Sequence, residues 1–329
     1  MSVTQRTSVK YFVAMRLLQA IPLLLGVIVL SFILIHLTPG DITVIFAGNA
    51  PVSKAFLEAL RHQFGLDQPL YVQFFLYLSN IIHGNLGYSY FYSEPVLDLI
   101  LQRLPVTLTI VLLPLVVTPI VGVILGVSAS RKQYSATDNV ISLVSLAGYS
   151  IPAFWSGQLL ILFFGLYLKW FPVEGFVTLG ANLQGIPLIV NILDHLFLPG
   201  LLIGSIQIAL VTRLTRAGML EAYTQDYITW ARAKGQKERT IAYRHALRNA
   251  LLPIVTLVGY NFGLLLTGAV FTETVFALPG LGTLLVSAIL NHDFPIITGQ
   301  LIFVSFMVIT ANLITDLAYG FVDPRIRQR

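Results

Sequence analysis

Between Leu17 and Leu37 the chain runs for about twenty residues without an Asp, Glu, Lys or Arg, the length a helix needs to cross a hydrocarbon core about 30 Å thick. Five further stretches, approximately 104–130, 139–168, 196–212, 249–271 and 296–319, meet the same requirement. Long apolar runs separated by short polar segments predict an all-α, polytopic transmembrane helix bundle of six spans. The chain is 56% hydrophobic and 11% charged, against about 25% charged for an ordinary soluble domain. Its mean hydropathy is +0.80. Arg6, Lys10 and Arg16 precede the first run as in a signal peptide, but that run is twice the usual length and no small-x-small cleavage site follows. It reads as an uncleaved first span.

An even number of spans puts both termini on one side. Sixteen of the twenty Lys and Arg residues fall in the N-terminal tail, the loops after the second and fourth spans, and the C-terminal tail, leaving Lys54, Arg61, Arg103 and Lys169 opposite. The positive-inside rule therefore places both termini in the cytoplasm. The formal net charge of +5 is an orientation signal rather than a nucleic-acid signature. The segmentation is a cytoplasmic tail 1–16, a first span 17–38, an extracytoplasmic loop or cap 39–103, a five-span core 104–319 with a cytoplasmic loop 213–248, and a tail 320–329.

Small residues recur at helical spacing at Gly122/Gly126, Gly200/Gly204 and Gly259/Gly263, each a face on which helices approach closely in lipid. They pack one bundle, or in the case of Gly259/Gly263 line an interface with a second subunit. Pro22, Pro114, Pro119, Pro152 and Pro199 mark kinks within or at the ends of spans. Asn261, Thr267 and Asn312 either line a path or bond between helices. Among ionisable groups, His36 lies near the outer end of the first span and Asp316 near the inner end of the last. An intramembrane carboxylate points to an ion relay unless it is solvated or paired.

Chemistry is largely excluded. There is no cysteine, hence no disulfide or thiolate ligand, and the six histidines show no HExxH spacing. No GxxxxGK[ST] loop is present for a nucleotide, and no GxSxG nucleophile elbow. The chain is not an enzyme, and no cofactor or metal is expected on it.

What remains is an island of charge in 230–253, WARAKGQKERTIAYRHALRNALLP. Ile228, Ala231, Ile241, Leu247 and Leu251 are interspersed with the bases and Gly235 interrupts the pattern. This predicts a helix, a glycine turn and a second helix on the cytoplasmic face, suited to an anionic lipid surface or to a groove in a soluble partner.

The segment Ala231-Arg-Ala-Lys-Gly235, followed by Arg244-His-Ala-Leu-Arg-Asn-Ala-Leu-Leu-Pro253, resembles the EAA loop of ABC importer permeases of the oligopeptide/dipeptide/nickel branch. GLDQPLYVQ (65–73), GNLGYSY (84–90), RLPVTL (103–108), SIPAFW (150–155), WFPVEG (170–175), ETVFALPGLGTLL (273–285) and DPRIR (323–327) follow that branch in order across nearly the whole chain. The resemblance implies a type I importer permease fold (MetI-like) in a bacterial or archaeal plasma membrane. It also implies a homologous second permease, two cytoplasmic ATPases carrying ATP and Mg, and an extracytoplasmic binding protein. The loop would be the coupling helix seated in an ATPase groove, with Ala231, Ala233 and Gly235 at the contact and Arg232, Lys234, Lys237, Arg239, Arg244 and His245 beside it. The EAA triplet reads Thr229-Trp230-Ala231 here, and Arg248 stands where proline is common. Gly259, Asn261, Gly263 and Thr267 are candidates for the translocation path or subunit interface, and Glu273 and Asp293 for the rim that meets the binding protein. Di- or oligopeptide is the implied cargo, with nickel or its chelates, or glutathione, as alternatives. The competing classes are a self-contained secondary transporter or channel, and a membrane scaffold.

Overall fold

The computed structural model describes residues 9–38, 40, 41, 43, 44, 53–63 and 65–322, and describes the helices but not every side chain within 252–268 and beyond 315. Its helices are α1 (Val9–Leu37), α2 (Lys54–Gln63), α3 (Leu70–Ile82), α4 (Val96–Arg131), α5 (Ala136–Ser150), α6 (Ala153–Leu160), α7 (Ile186–Tyr223), α8 (Asp226–Ala233), α9 (Leu247–Val275), α10 (Leu281–Leu290) and α11 (Phe294–Val322). α6 continues as a π-helical stretch to Tyr167, and a second π-helical stretch, Ile241–Ala246, leads into α9. The one sheet among the described residues is a hairpin in which Tyr88 pairs with Pro95 and Ser89 with Glu94.

Among the described residues four helices are long and apolar enough to cross a membrane: Val13–Leu37, Val96–Arg131, Ile186–Tyr223 and Phe294–Thr315. A fifth crossing arises if α5 and α6 traverse as one broken span. The chain is therefore a multi-pass membrane protein with an all-α bundle. α9 has 29 residues, about 43 Å of helix at 1.5 Å per residue.

The run 139–168, expected as one span kinked at Pro152, is built from two helices meeting at 107°. The cause is local. Pro152 forces the residue before it out of the helical region, and Ile151 is extended at φ −80°, ψ 129°. α5 stops there and α6 starts again from Pro152. By contrast Pro199 lies inside α7 and the helix runs through it over 38 residues.

The chain divides into two compact units, one from the residues up to Pro105 together with those from Gly280 on, the other Val106–Pro279. In the first, α1 packs on α11 and on α3, and Val96, Leu99, Ile100, Leu281, Leu284, Ala288 and Ile296 form a buried cluster. A Cβ on Gly299 would stand 2.7 Å from Val96 Cγ1, so glycine there permits the helices to touch. In the second unit α7 is the central post against which α5, α6 and α9 pack. The Gly122/Gly126 face of α4 meets this post. A Cβ on Gly126 would lie 2.4 Å from Thr215 Cβ and 2.8 Å from the Thr212 carbonyl oxygen. These glycines are used inside one chain.

Candidate functional site

The basic island folds as a short helix locked to the ends of long ones. α7 ends at Tyr223, Thr224 and Gln225 turn the chain, and α8 begins at Asp226, an acidic residue in the first turn, where it complements the helix dipole. One face of α8 is apolar, and Ile228 and Ala231 are buried in a cluster with Val127, Met219, Ala222, Ile241, Ala242, Ala246 and Ala250. The apolar side of the island formed by Ile228 and Ala231 is thus consumed by the protein's own core.

The exit from α8 depends on Gly235. The Gly235 N–H donates to the Arg232 carbonyl at 2.9 Å and the Gln236 N–H to the Ala231 carbonyl at 3.3 Å, the paired bonds of a Schellman cap. That cap needs a left-handed residue at its centre, and Gly235 has φ +74°. Nothing lies within 4 Å of the position a Cβ would occupy, so the requirement comes from the backbone alone.

Arg232, Ala233, Lys234, Gly235, Lys237, Arg239 and Arg244 are all exposed on the outward side. Arg232 Nε donates to Glu238 Oε1 at 2.9 Å across the turn. That carboxylate raises the affinity of the guanidinium for its proton. His245, half-buried, meets Gln236 Oε1 through Nε2 at 2.7 Å, and the Asn249 amide donates to the Tyr227 hydroxyl at 2.7 Å. The second strand of the island is thereby tied to the first. Ala231 departs from expectation. At 5% exposed it supports the helix from beneath rather than offering a contact surface. Sequence reasoning missed Trp230, which is 68% exposed on α8, and Tyr227 and Tyr243 are exposed as well. A tryptophan followed by bases in an oily chain was the available signal.

The other candidates are dispersed. Asn261 is 3% exposed and donates through Nδ2 to Gln207 Oε1 at 2.7 Å, bonding α9 to α7. The pair borders a cavity of about 300 Å³ also lined by Tyr149, Leu202, Phe271 and Thr272. Gly263 is half-buried on α9, while the side-chain surroundings of Gly259, Thr267 and Asp316 lie outside the described residues. Glu273 and Asp293, expected on an exposed rim, are 0% and 2% exposed. Glu273 accepts from Thr107 Oγ1 at 2.6 Å. Asp293 caps α11 by accepting the Ile296 N–H at 3.3 Å and also accepts the Ser89 hydroxyl. Burial raises the Asp293 pKa.

Residues 122–328 match the family described as binding-protein-dependent transport system inner membrane component, and residues 9–111 match its N-terminal counterpart. The chain is 39% identical over 332 residues to the di/tripeptide transport system permease protein of Pseudomonas aeruginosa, covering 97% of this chain and 99% of the relative. It is 36% identical over 335 residues to the dipeptide transport system permease protein of Escherichia coli K12, again covering 97% and 99%.

Proposed function

The chain belongs to the binding-protein-dependent transport system inner membrane component family, and from that membership we propose that it forms half of the pathway by which an ATP-driven importer takes up di- or oligopeptides. It is a permease subunit and not itself an enzyme. Its partners in this reading are a homologous second permease, two cytoplasmic ATPases and an extracytoplasmic binding protein. The peptide assignment follows the names of the di/tripeptide and dipeptide permeases it resembles. Six crossings, with α9 as one of them and α5–α6 as another, put both termini and the island in the cytoplasm by the distribution of Lys and Arg.

The observation that carries the mechanism is the way α8 is mounted. Its inner face is fused to α7 and the start of α9 through Ile228, Ala231 and Ile241, and its outer face presents Trp230 among exposed bases. A helix mounted in this way moves only if the long helices move with it. Closure of the ATPase dimer on ATP therefore displaces α8, and the packed helices α7 and α9 carry the displacement into the membrane. The ATPase cycle supplies the difference in free energy between inward- and outward-open states that such a shift demands. Arg232, Lys234, Lys237, Arg239 and Arg244 suit an acidic rim around the partner's groove, with Trp230 as an aromatic anchor of the kind that dominates interface energetics. Glu273 and Asp293 are buried, Glu273 tying α9 to α4 and Asp293 tying the start of α11 to the hairpin at Ser89, and act on a docked binding protein only through those elements.

Uptake of a labelled dipeptide into membrane vesicles tests this reading. ATP-dependent accumulation that requires this chain supports it. Accumulation in proteoliposomes holding this chain alone, driven by an ion gradient, overturns it in favour of a secondary transporter.

A further inference from the structure

α5 is bound to its neighbours in an unusual way. Its exposed side chains include Val140, Leu143, Val144 and Leu146, and its only buried residues are Asp138 and Ser145. No large apolar side chain of α5 is fully buried, although Ile141 is half-buried and the helix packs along α7. The deepest tie between the two is ionic. Asp138, 1% exposed, takes both arms of the Arg216 guanidinium, Nε to Oδ1 at 2.6 Å and Nη2 to Oδ2 at 2.7 Å. The same carboxylate accepts the Tyr134 N–H at 2.9 Å and the Ser142 hydroxyl at 3.3 Å.

The other cytoplasm-proximal elements of this unit are joined differently. α4 meets α7 through Gly126 against Thr215, and α7 meets α9 through Gly218, where an added Cβ would stand 3.2 Å from Ala250 Cβ. α8 is sealed to the same block by its buried cluster. These are close apolar contacts, made by shape. A buried ion pair contributes little net stability compared with an apolar pair of the same volume, but breaking it leaves an uncompensated charge. A planar bidentate fork also fixes orientation as well as distance. In lipid, apolar packing gives no hydrophobic drive between helices, so such a polar tie can decide whether two helices move together. Arg216 lies about two turns before α7 ends at Tyr223, close to the start of α8. Asp138 lies at the opposite end of α5 from the 107° break.

We propose that the Asp138–Arg216 pair is the linkage by which displacement of α8 reaches the broken span, making Asp138 and Arg216 positioning residues for coupling ATP turnover to transport. The proposal rests on the importer reading given above. Through this linkage α5 follows α7 rigidly, and the bend at Ile151–Pro152 is where that motion changes direction.

The test uses the complete transporter, purified with its partners and reconstituted, carrying Asp138→Asn, Arg216→Gln or Arg216→Lys. Three quantities are measured: yield of assembled complex, ATP hydrolysis, and substrate accumulated per ATP. Asp138→Asn removes the charge and keeps one acceptor oxygen, which serves the Tyr134 N–H, while its NH2 faces the Ser142 hydroxyl as a donor. The expected result is an assembled, ATP-hydrolysing complex whose substrate-to-ATP ratio falls about tenfold, within the usual range of coupling between sites. Arg216→Lys, which keeps the charge and loses the fork, falls between Arg216→Gln and the unaltered chain. A ratio unchanged in the assembled variants, or failure of all three variants to assemble, overturns the proposal and leaves the pair a purely structural tie. Failure of the importer reading is separately visible, because the unaltered chain would then show no ATP-dependent uptake.

Discussion

Replacing Gly235 separates a backbone requirement from a contact requirement. The residue sits at φ +74° with open space around the Cβ position, so any penalty comes from holding an L-residue in the left-handed region. That penalty is about 1 kcal/mol for alanine, about 2 kcal/mol for a β-branched valine, and smaller for asparagine, which visits this region readily. Against a total stability of about 5–15 kcal/mol none of these unfolds the protein. The two cap bonds to Arg232 and Ala231 are local, so the cost is relieved by opening the turn and shifting the bases after it. With about 1.4 kcal/mol per factor of ten, Gly235→Val reduces the population of the correctly presented island by about thirtyfold, Gly235→Ala by about fivefold, and Gly235→Asn by less than either. The assay is ATP-dependent uptake in vesicles, normalised to inserted permease. Uptake should fall in the order Gly, Asn, Ala, Val. Equal loss with asparagine and valine would refute the backbone argument and point to a steric contact with the partner instead.

Gly126→Ala in α4 forces a Cβ to within 2.4 Å of Thr215 and should lower stability in detergent by about 1–3 kcal/mol. Gly26→Ala in α1 meets nothing within 4 Å and should raise it by about 0.5–1 kcal/mol. Asn261→Leu leaves the Gln207 oxygen without its donor and should cost about 1–3 kcal/mol, with part of the loss recovered on adding Gln207→Leu. The double-mutant cycle in detergent melting measures the coupling directly. Asp293 gives a pH signature. Its raised native pKa means the folded chain binds its proton more tightly than the unfolded one, so stability falls as pH rises from the ordinary carboxylate value of 3.8 through the native value. Asp293→Asn should remove that slope while keeping an acceptor for Ile296, and thermal melts across this range report it.

The features legible in the sequence are those set by local composition. The apolar runs mark α1, α4, α7 and α11 because span length is fixed by membrane thickness, and Gly235 between two amphipathic stretches marks the turn that the structure forms there. Pro152 was visible as a kink, but the size of the break was not. A proline inside an apolar run kinks, breaks or passes without interruption depending on what packs beside it, as the uninterrupted α7 at Pro199 demonstrates. Glu273 and Asp293 were misread because burial of a carboxylate near a helix end depends on distant partners. Thr107 and Ser89 lie 166 and 204 positions away in the chain. The same distance hid the Asp138–Arg216 pair, 78 positions apart. Ala231 was read both among the apolar positions of the island and, by resemblance, at the contact, and the buried cluster with Val127 and Ala250 takes it.

The central claim is that α8 is driven by an external ATPase, and affinity purification of this chain from its native membranes in mild detergent, with mass spectrometry of what accompanies it, tests that claim most directly. The account predicts a second permease and P-loop ATPases in the unaltered complex, and loss of the ATPases alone when Arg232, Lys234 and Trp230 are replaced together. Reproducible recovery of the chain without any ATPase, across several detergents, would contradict it.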